Sequence, residues 1–232
     1  MIKHISVGNV PVELERKKIK NMYLRVVPPE GQVRITAPMR MGEEEIRKFV
    51  LTKLDWIRTK QQEMENRHPQ EEIDYVSGEK IYLWGNPYQL QVQEKNVRPS
   101  IQAGAGLLVL AVKPEAGKEQ RKKMVDTLYR EVLLKEIPPL MAKWEARIGV
   151  KATGFTVRDM KTRWGTCNVR TKKICLSLQL AKQQPRCLEY VVVHELVHLL
   201  ERSHNHVFKS YLDHFLPEWR QIKKEMNGKA AI

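Results

Sequence analysis

The chain has 232 residues, 42% of them hydrophobic, enough for one large domain or two smaller ones with a real core. Its three cysteines, Cys167, Cys175 and Cys187, are odd in number, lack C-x-x-C spacing and follow no signal peptide in MIKHISVGNV, which excludes a disulfide framework and reads as reduced thiols in a cytoplasmic protein. No apolar run approaches the roughly 18 to 20 residues of a membrane span, and 41 Lys and Arg against 27 Asp and Glu give a charge of +14, which favours acidic partners such as nucleic acid, anionic lipid or acidic protein segments.

The first forty residues read as short strands, HISVG, VPVELER and YLRVVPPEGQVRITAP, with Pro28, Pro29 and Gly31 marking a turn inside the last. A helix is predicted from Glu43 to Glu65, with Ile46, Phe49, Val50, Leu54 and Ile57 at helical spacing and Trp56 extending the buried face. EKIYLWGNPYQLQVQ and SIQAGAGLLVLAV predict a β-meander over Gly78 to Val112. A long amphipathic helix follows from Lys118 to Ile148, its stripe formed by Met124, Leu128, Val132, Leu133 and Ile137, with Pro138 and Pro139 expected to kink or interrupt it.

FTVRDMKTRWGTC and KKICLSLQL are further strands, and helices are predicted from Pro185 to Arg202, from Asn205 to Phe215 and after Pro217. No internal repeat is visible. This order fits an α+β chain, with a β-rich part containing one helix over 1–115 and a second part over 116–232, expected to pack as one unit with the first.

Between Asp159 and Glu189 no acidic residue occurs, whereas Lys161, Arg163, Arg170, Lys172, Lys173, Lys182 and Arg186 all do, so the window is either a solvated face or a surface for a polyanion or acidic substrate. Directly after it stands VVVHELVHLLERSHNHVF. On a helix His194 and His198, four apart, lie one turn above each other and can reach one ion, a spacing that suits Zn2+ at about 2.0 to 2.1 Å from each imidazole. Glu195 points about 100° away, beside the ligand face. Two core histidines and a glutamate would be costly to bury in an apolar helix without a partner, and a metal is such a partner.

A catalytic zinc takes three protein ligands and keeps one position open. His204, six beyond His198, has the spacing of H-E-x-x-H-x-x-G-x-x-H, although Glu201 replaces the glycine. Glu201 shares the His194 and His198 stripe if the helix continues, and His206 and His214 are further candidates.

RWGTC, ICLSLQL, LEYVVVHELVHL and SHNHVF, with MYLRV, VRITAP and EEEIRKFV earlier, resemble the YgjP-like metallopeptidase family, related to SprT-like zinc proteases. The resemblance implies an α+β fold with a zincin-like core around the HExxH helix, one zinc per chain on His194, His198 and His204, and Glu195 as catalyst. It departs at Lys209, where many relatives carry tryptophan. The expected reaction is peptide-bond hydrolysis, with Glu195 taking the proton of a zinc-bound water. Arg163, His206 and Tyr211 are candidates to steady the developing oxyanion, Glu201 to support a ligand, and the edge of ICLSLQL to bind an extended peptide or protein substrate. The alternatives are a protease associated with nucleic acid, and a polyanion-binding protein with a structural zinc site, for which a fourth ligand from Glu201 or His206 would argue.

Overall fold

Gly8 and Asn9 take φ of 54° and 65°, the left-handed pair that a tight two-residue hairpin turn requires, and join strands β1 (Ile2–Val7) and β2 (Val10–Lys17). The computed structural model describes residues 2–27, 30–65, 73–160 and 162–228, so Pro28, Pro29 and Lys161 lie outside the described residues. Two further strands, β3 (Tyr23–Val27) and β4 (Gln32–Pro38), complete a sheet of order β1-β2-β4-β3, in which β4 runs parallel to β2 and antiparallel to β3. Along β4 the residues Val33, Ile35 and Ala37 are buried between exposed Gln32 and Arg34, the alternation of a half-buried sheet.

The single helix expected over Glu43 to Glu65 is two, α1 (Glu43–Leu51) and α2 (Leu54–Glu65). Thr52 lies at the break, its hydroxyl donating to the Phe49 carbonyl at 2.8 Å and so competing with the helical ladder. Ile46, Val50 and Ile57 are fully buried in this unit's core, but Trp56 is 44% exposed and does not extend the buried face.

The chain divides into compact units of residues 1–71 and 72–232. Leu108 and Leu110 share one core with Leu133 and Ile137 of the following helix. The second unit opens with β5 (Lys80–Leu83), β6 (Asn86–Glu94), β7 (Ser100–Gly104) and β8 (Leu107–Val112), in the order β5-β6-β8-β7. Its first hairpin also turns through positive φ, at Trp84 and Gly85. Parallel pairing of β8 with β6, Leu108 opposite Leu90, makes this something other than the expected meander. Both four-stranded sheets thus share one connectivity, a repetition that the sequence does not display.

Helix α3 (Lys118–Ile148) runs unbroken through Pro138 and Pro139. Both prolines are on the exposed face, where carbonyls that lose their partners meet water, while Leu133, Ile137 and Met141 bury the opposite side. Its core stripe is Val125, Tyr129, Leu133, Ile137, Met141, Trp144 and Ile148; Met124, Leu128 and Val132 pack only partly against it.

A three-stranded sheet of order β10-β11-β9 follows, from β9 (Gly154–Arg158), β10 (Gly165–Asn168) and β11 (Lys173–Ser177), and then a 3-10 turn over Leu178–Lys182. Three helices close the chain, α4 (Pro185–Val197), α5 (His206–Phe215) and α6 (Trp219–Gly228). No helix among the described residues is long and apolar enough to cross a membrane. No disulfide joins Cys167, Cys175 and Cys187.

Candidate metal centre

Helix α4 is almost wholly core, with Val191, Val192, Val193, Leu196 and Val197 buried, so a charged side chain here must be held by geometry. Pro185 occupies its first turn, where a missing N–H costs nothing. His194 and His198, both half-buried, stand one turn apart on one side of α4, His198 as its C-cap.

The helix stops at Val197, and the chain then reverses without a glycine. The Glu201 N–H donates to the Val197 carbonyl at 3.0 Å, the Glu201 carboxylate accepts from the Ser203 N–H at 2.9 Å, and the Asn205 side chain caps α5 by accepting from the Phe208 N–H at 3.0 Å. The reversal brings His204 back onto the first two histidines, with its Nε2 2.9 Å from His194 Nε2. One ring nitrogen from each of His194, His198 and His204 lies within 4.8 Å of the other two. A zinc tetrahedron with bonds near 2.05 Å has an edge of about 3.3 Å, so small adjustments of three imidazoles would seat that ion.

The supports of each ring are distinct. His198 Nδ1 lies 3.2 Å from the Glu201 carbonyl, which leaves its Nε2 to face an ion. His194 Nδ1 is buried with no hydrogen-bond partner among the described residues, and its ring is held by packing against Tyr190 at 5.7 Å and Phe208 at 4.9 Å. Phe208, 1% exposed, floors the whole group, 4.6 Å from the His198 ring and 4.8 Å from that of His204.

Burial, and then the neighbouring His198 and His204, lowers the pKa of His194 to about 3. Burial lowers His198 and His204 as well, so the cluster favours three neutral imidazoles, the form that ligates metal. Glu195, 4% exposed on the adjacent face of α4, is pushed up to about 8 by burial, against the pull of Arg163. Gly165 on β10 presses against it: a Cβ there would stand 2.7 Å from Glu195 Oε1 and 2.9 Å from Val191 Cγ1.

These groups line a cleft of about 1200 Å³ between β10 and helices α4, α5 and α6. Arg163 lies on its wall. Glu201 contributes its backbone carbonyl to His198 and spends its carboxylate on the turn, because the helix ends before Glu201 can share the histidine stripe. His206 begins α5 and is exposed, outside the three-histidine cluster. Tyr211 stacks on Phe215 at 6.3 Å and His214 packs on the same ring at 4.9 Å, both outside the cleft lining.

Sequence reasoning assigned no role to Phe208, Tyr190, Gly165 or Lys223. Phe208 and Gly165 sit inside the quoted stretches SHNHVF and RWGTC, but their spacing carries no metal-ligand signal. The strand ICLSLQL does not supply a free edge: β11 pairs on one side with β9 and on the other with β10, and its last residues Leu178 and Leu180 belong to the 3-10 turn. β10 is one of the two outer strands of this sheet, and the one that lies against the cleft.

Three converging neutral imidazoles beside a buried carboxylate are the donor set of a metal-dependent hydrolase. Residues 20–229 match the family described as YgjP-like, metallopeptidase domain, and the chain belongs to that family. Among solved structures it is similar to the metallopeptidase zymogen of Pyrococcus abyssi abylysin, at 19% identity and a TM-score of 0.37 over 39% of this chain and 91% of that one. It is also similar to the zymogen of Methanocaldococcus jannaschii jannalysin, at 20% identity and 0.37 over 40% and 96%. No curated protein matches the chain.

Proposed function

We propose that this metallopeptidase is a zinc enzyme of the HExxH type that hydrolyses peptide bonds with Glu195 as general base. The observation that carries the reading is the convergence of His194, His198 and His204 to within 4.8 Å, one helical position from a buried Glu195. Their Nε2 atoms would hold the ion, and zinc bound there supplies Lewis acidity, polarising the scissile carbonyl and drawing the pKa of water at its open position towards about 7.

Glu195 accepts a proton from the attacking water as the oxygen bonds to the carbonyl carbon, and donates it to the amine nitrogen as the C–N bond breaks. Its displacement from the histidine face leaves it free of the ion and able to move a proton. Arg163, whose charge reaches Glu195, favours the carboxylate form that accepts that proton. The outer edge of β10 offers backbone groups to an extended substrate, in place of the covered β11.

The donor set has three members among the described residues, which supports an open position over a closed structural site of four ligands. The test combines metal content and turnover of a peptide library. Wild type should hold about one zinc per chain, His194→Ala and His204→Ala should lose it, and Glu195→Gln should keep it without turnover. An active Glu195→Gln variant would remove the mechanism.

A further inference from the structure

The cleft beside the histidines is lined by Arg163, Arg170, Arg202, Lys209 and Lys223, and by one acid, the buried Glu195. Five cations to one anion is a higher proportion than the 41 to 27 of the whole chain. None of the five forms an ion pair with a described acid, whereas other cations of the same unit do: Arg186 pairs with Glu225 at 2.6 Å and Lys143 with Glu189 at 2.7 Å. Lys223 also lies over the Trp219 ring, 5.8 Å from its centroid; cations without an acidic partner among the described residues, gathered in a concave surface, focus a positive field into it.

Their placement matters as much as their number. Arg163 and Arg170 stand two residues before and two residues after β10, an outer strand whose second edge pairs with no other strand among the described residues. Arg202 comes from the loop after α4, Lys209 from α5 and Lys223 from α6, on the histidine side. The charge of Arg163 reaches Glu195 and that of Lys223 reaches His194 and His204, so the cations bracket the catalytic groups from both walls. The linear basic window divides in space: Arg163 and Arg170 enter the cleft, while Lys182 packs over the Tyr129 ring and Arg186 is paired.

We propose that the cleft selects extended peptide segments bearing aspartate or glutamate on both sides of the scissile bond. This deepens the peptidase reading and rests on it for the position of that bond. The backbone of such a segment adds to β10, and its carboxylates meet Arg163 and Arg170 on one wall and Arg202, Lys209 and Lys223 on the other.

The experiment uses full-length, zinc-loaded Glu195→Gln protein and labelled unstructured peptides of equal length, one acidic and one with each acid replaced by its amide, read by fluorescence anisotropy. The acidic peptide should bind about tenfold tighter at low salt, a preference that shrinks as salt approaches about 0.5 M. Arg202→Glu and Lys223→Glu should each reduce that ratio severalfold. Lys113→Glu, the same charge change on an exposed residue outside the cleft, should leave it unchanged. Equal binding of the two peptides, or a ratio indifferent to the cleft reversals, overturns the proposal. So does a single-stranded oligonucleotide of equal charge that binds tenfold tighter than the acidic peptide, which would make the cleft a nucleic-acid surface. Wild-type turnover separates the two readings: equal cleavage of both peptides defeats selectivity alone, and selective binding with no cleavage of either defeats the peptidase reading alone.

Discussion

Gly165 and Glu195 are in contact through the absence of a side chain: a Cβ on Gly165 would lie 2.7 Å from Glu195 Oε1 and 2.9 Å from its Cγ. Real Cβ atoms do not approach that closely, so the β10 backbone sets the position of the carboxylate. The strand that edges the cleft and the helix that bears the histidines are thereby fixed to each other at the residue proposed to move the proton.

Gly165→Ala should therefore displace the Glu195 carboxylate and leave the histidines in place. The expected result is a fall in kcat of about tenfold or more with metal content unchanged, and a loss of about 1–3 kcal/mol in stability from overpacking. Parallel measurement of zinc and of kcat and KM decides it; a variant that loses metal in proportion to activity would place the effect on the ligands.

The reversal after α4 separates ligand from support. His204→Ala should weaken zinc affinity by about a hundredfold or more, since it removes a donor, whereas Glu201→Ala removes only the acceptor of the Ser203 N–H and should cost about tenfold or less. Competition with a calibrated chelator gives both constants. Equal losses would return Glu201 to the ligand set.

Some of this site is legible in the sequence. The four-residue and six-residue spacings of His194, His198 and His204 are local, and one helix with one reversal turns them into a cluster. The placement of β11 was not legible, because ICLSLQL reads the same whether one neighbour or two pair with it, and only the long-range choice of β9 and β10 decides. The position of Glu201 failed for a boundary reason: its place on the histidine stripe required four more helical residues, and the chain turns instead. Lys209 and Lys223 lie outside the basic window and reach the cleft only through the packing of α5 and α6. The Pro138–Pro139 pair misled because its cost depends on facing water, which the pair alone does not reveal.

Phe208 carries the rings of all three histidines at 4.6 to 4.9 Å and is fully buried. Phe208→Ala should cost about 3–5 kcal/mol by cavity formation. Phe208→Leu, which refills most of the volume, should recover most of the stability and part of the zinc affinity. Denaturant unfolding with zinc titration distinguishes a floor that positions the rings from one that only fills space, since the latter would leave zinc affinity in the leucine variant equal to wild type.

The metal-free protein should respond to pH in a sense set by Glu195. Its folded pKa of about 8 lies above the ordinary carboxylate value of 4.5, so the folded state holds this proton while the unfolded chain releases it. The stabilising contribution is fully present below pH 4.5 and is lost as pH rises towards about 8. His194 works from the other side: its folded pKa of about 3 lies below 6.5, so its contribution is present above pH 6.5 and is lost as pH falls towards 3. Glu195→Gln removes the first loss only. Chelator-treated Glu195→Gln should thus melt about 5 °C or more above chelator-treated wild type at pH 8 and close to it at pH 4.5. Thermal unfolding at the two pH values checks the sign, and an equal Tm at pH 8 would mean that Glu195 ionises in the folded protein as readily as in water.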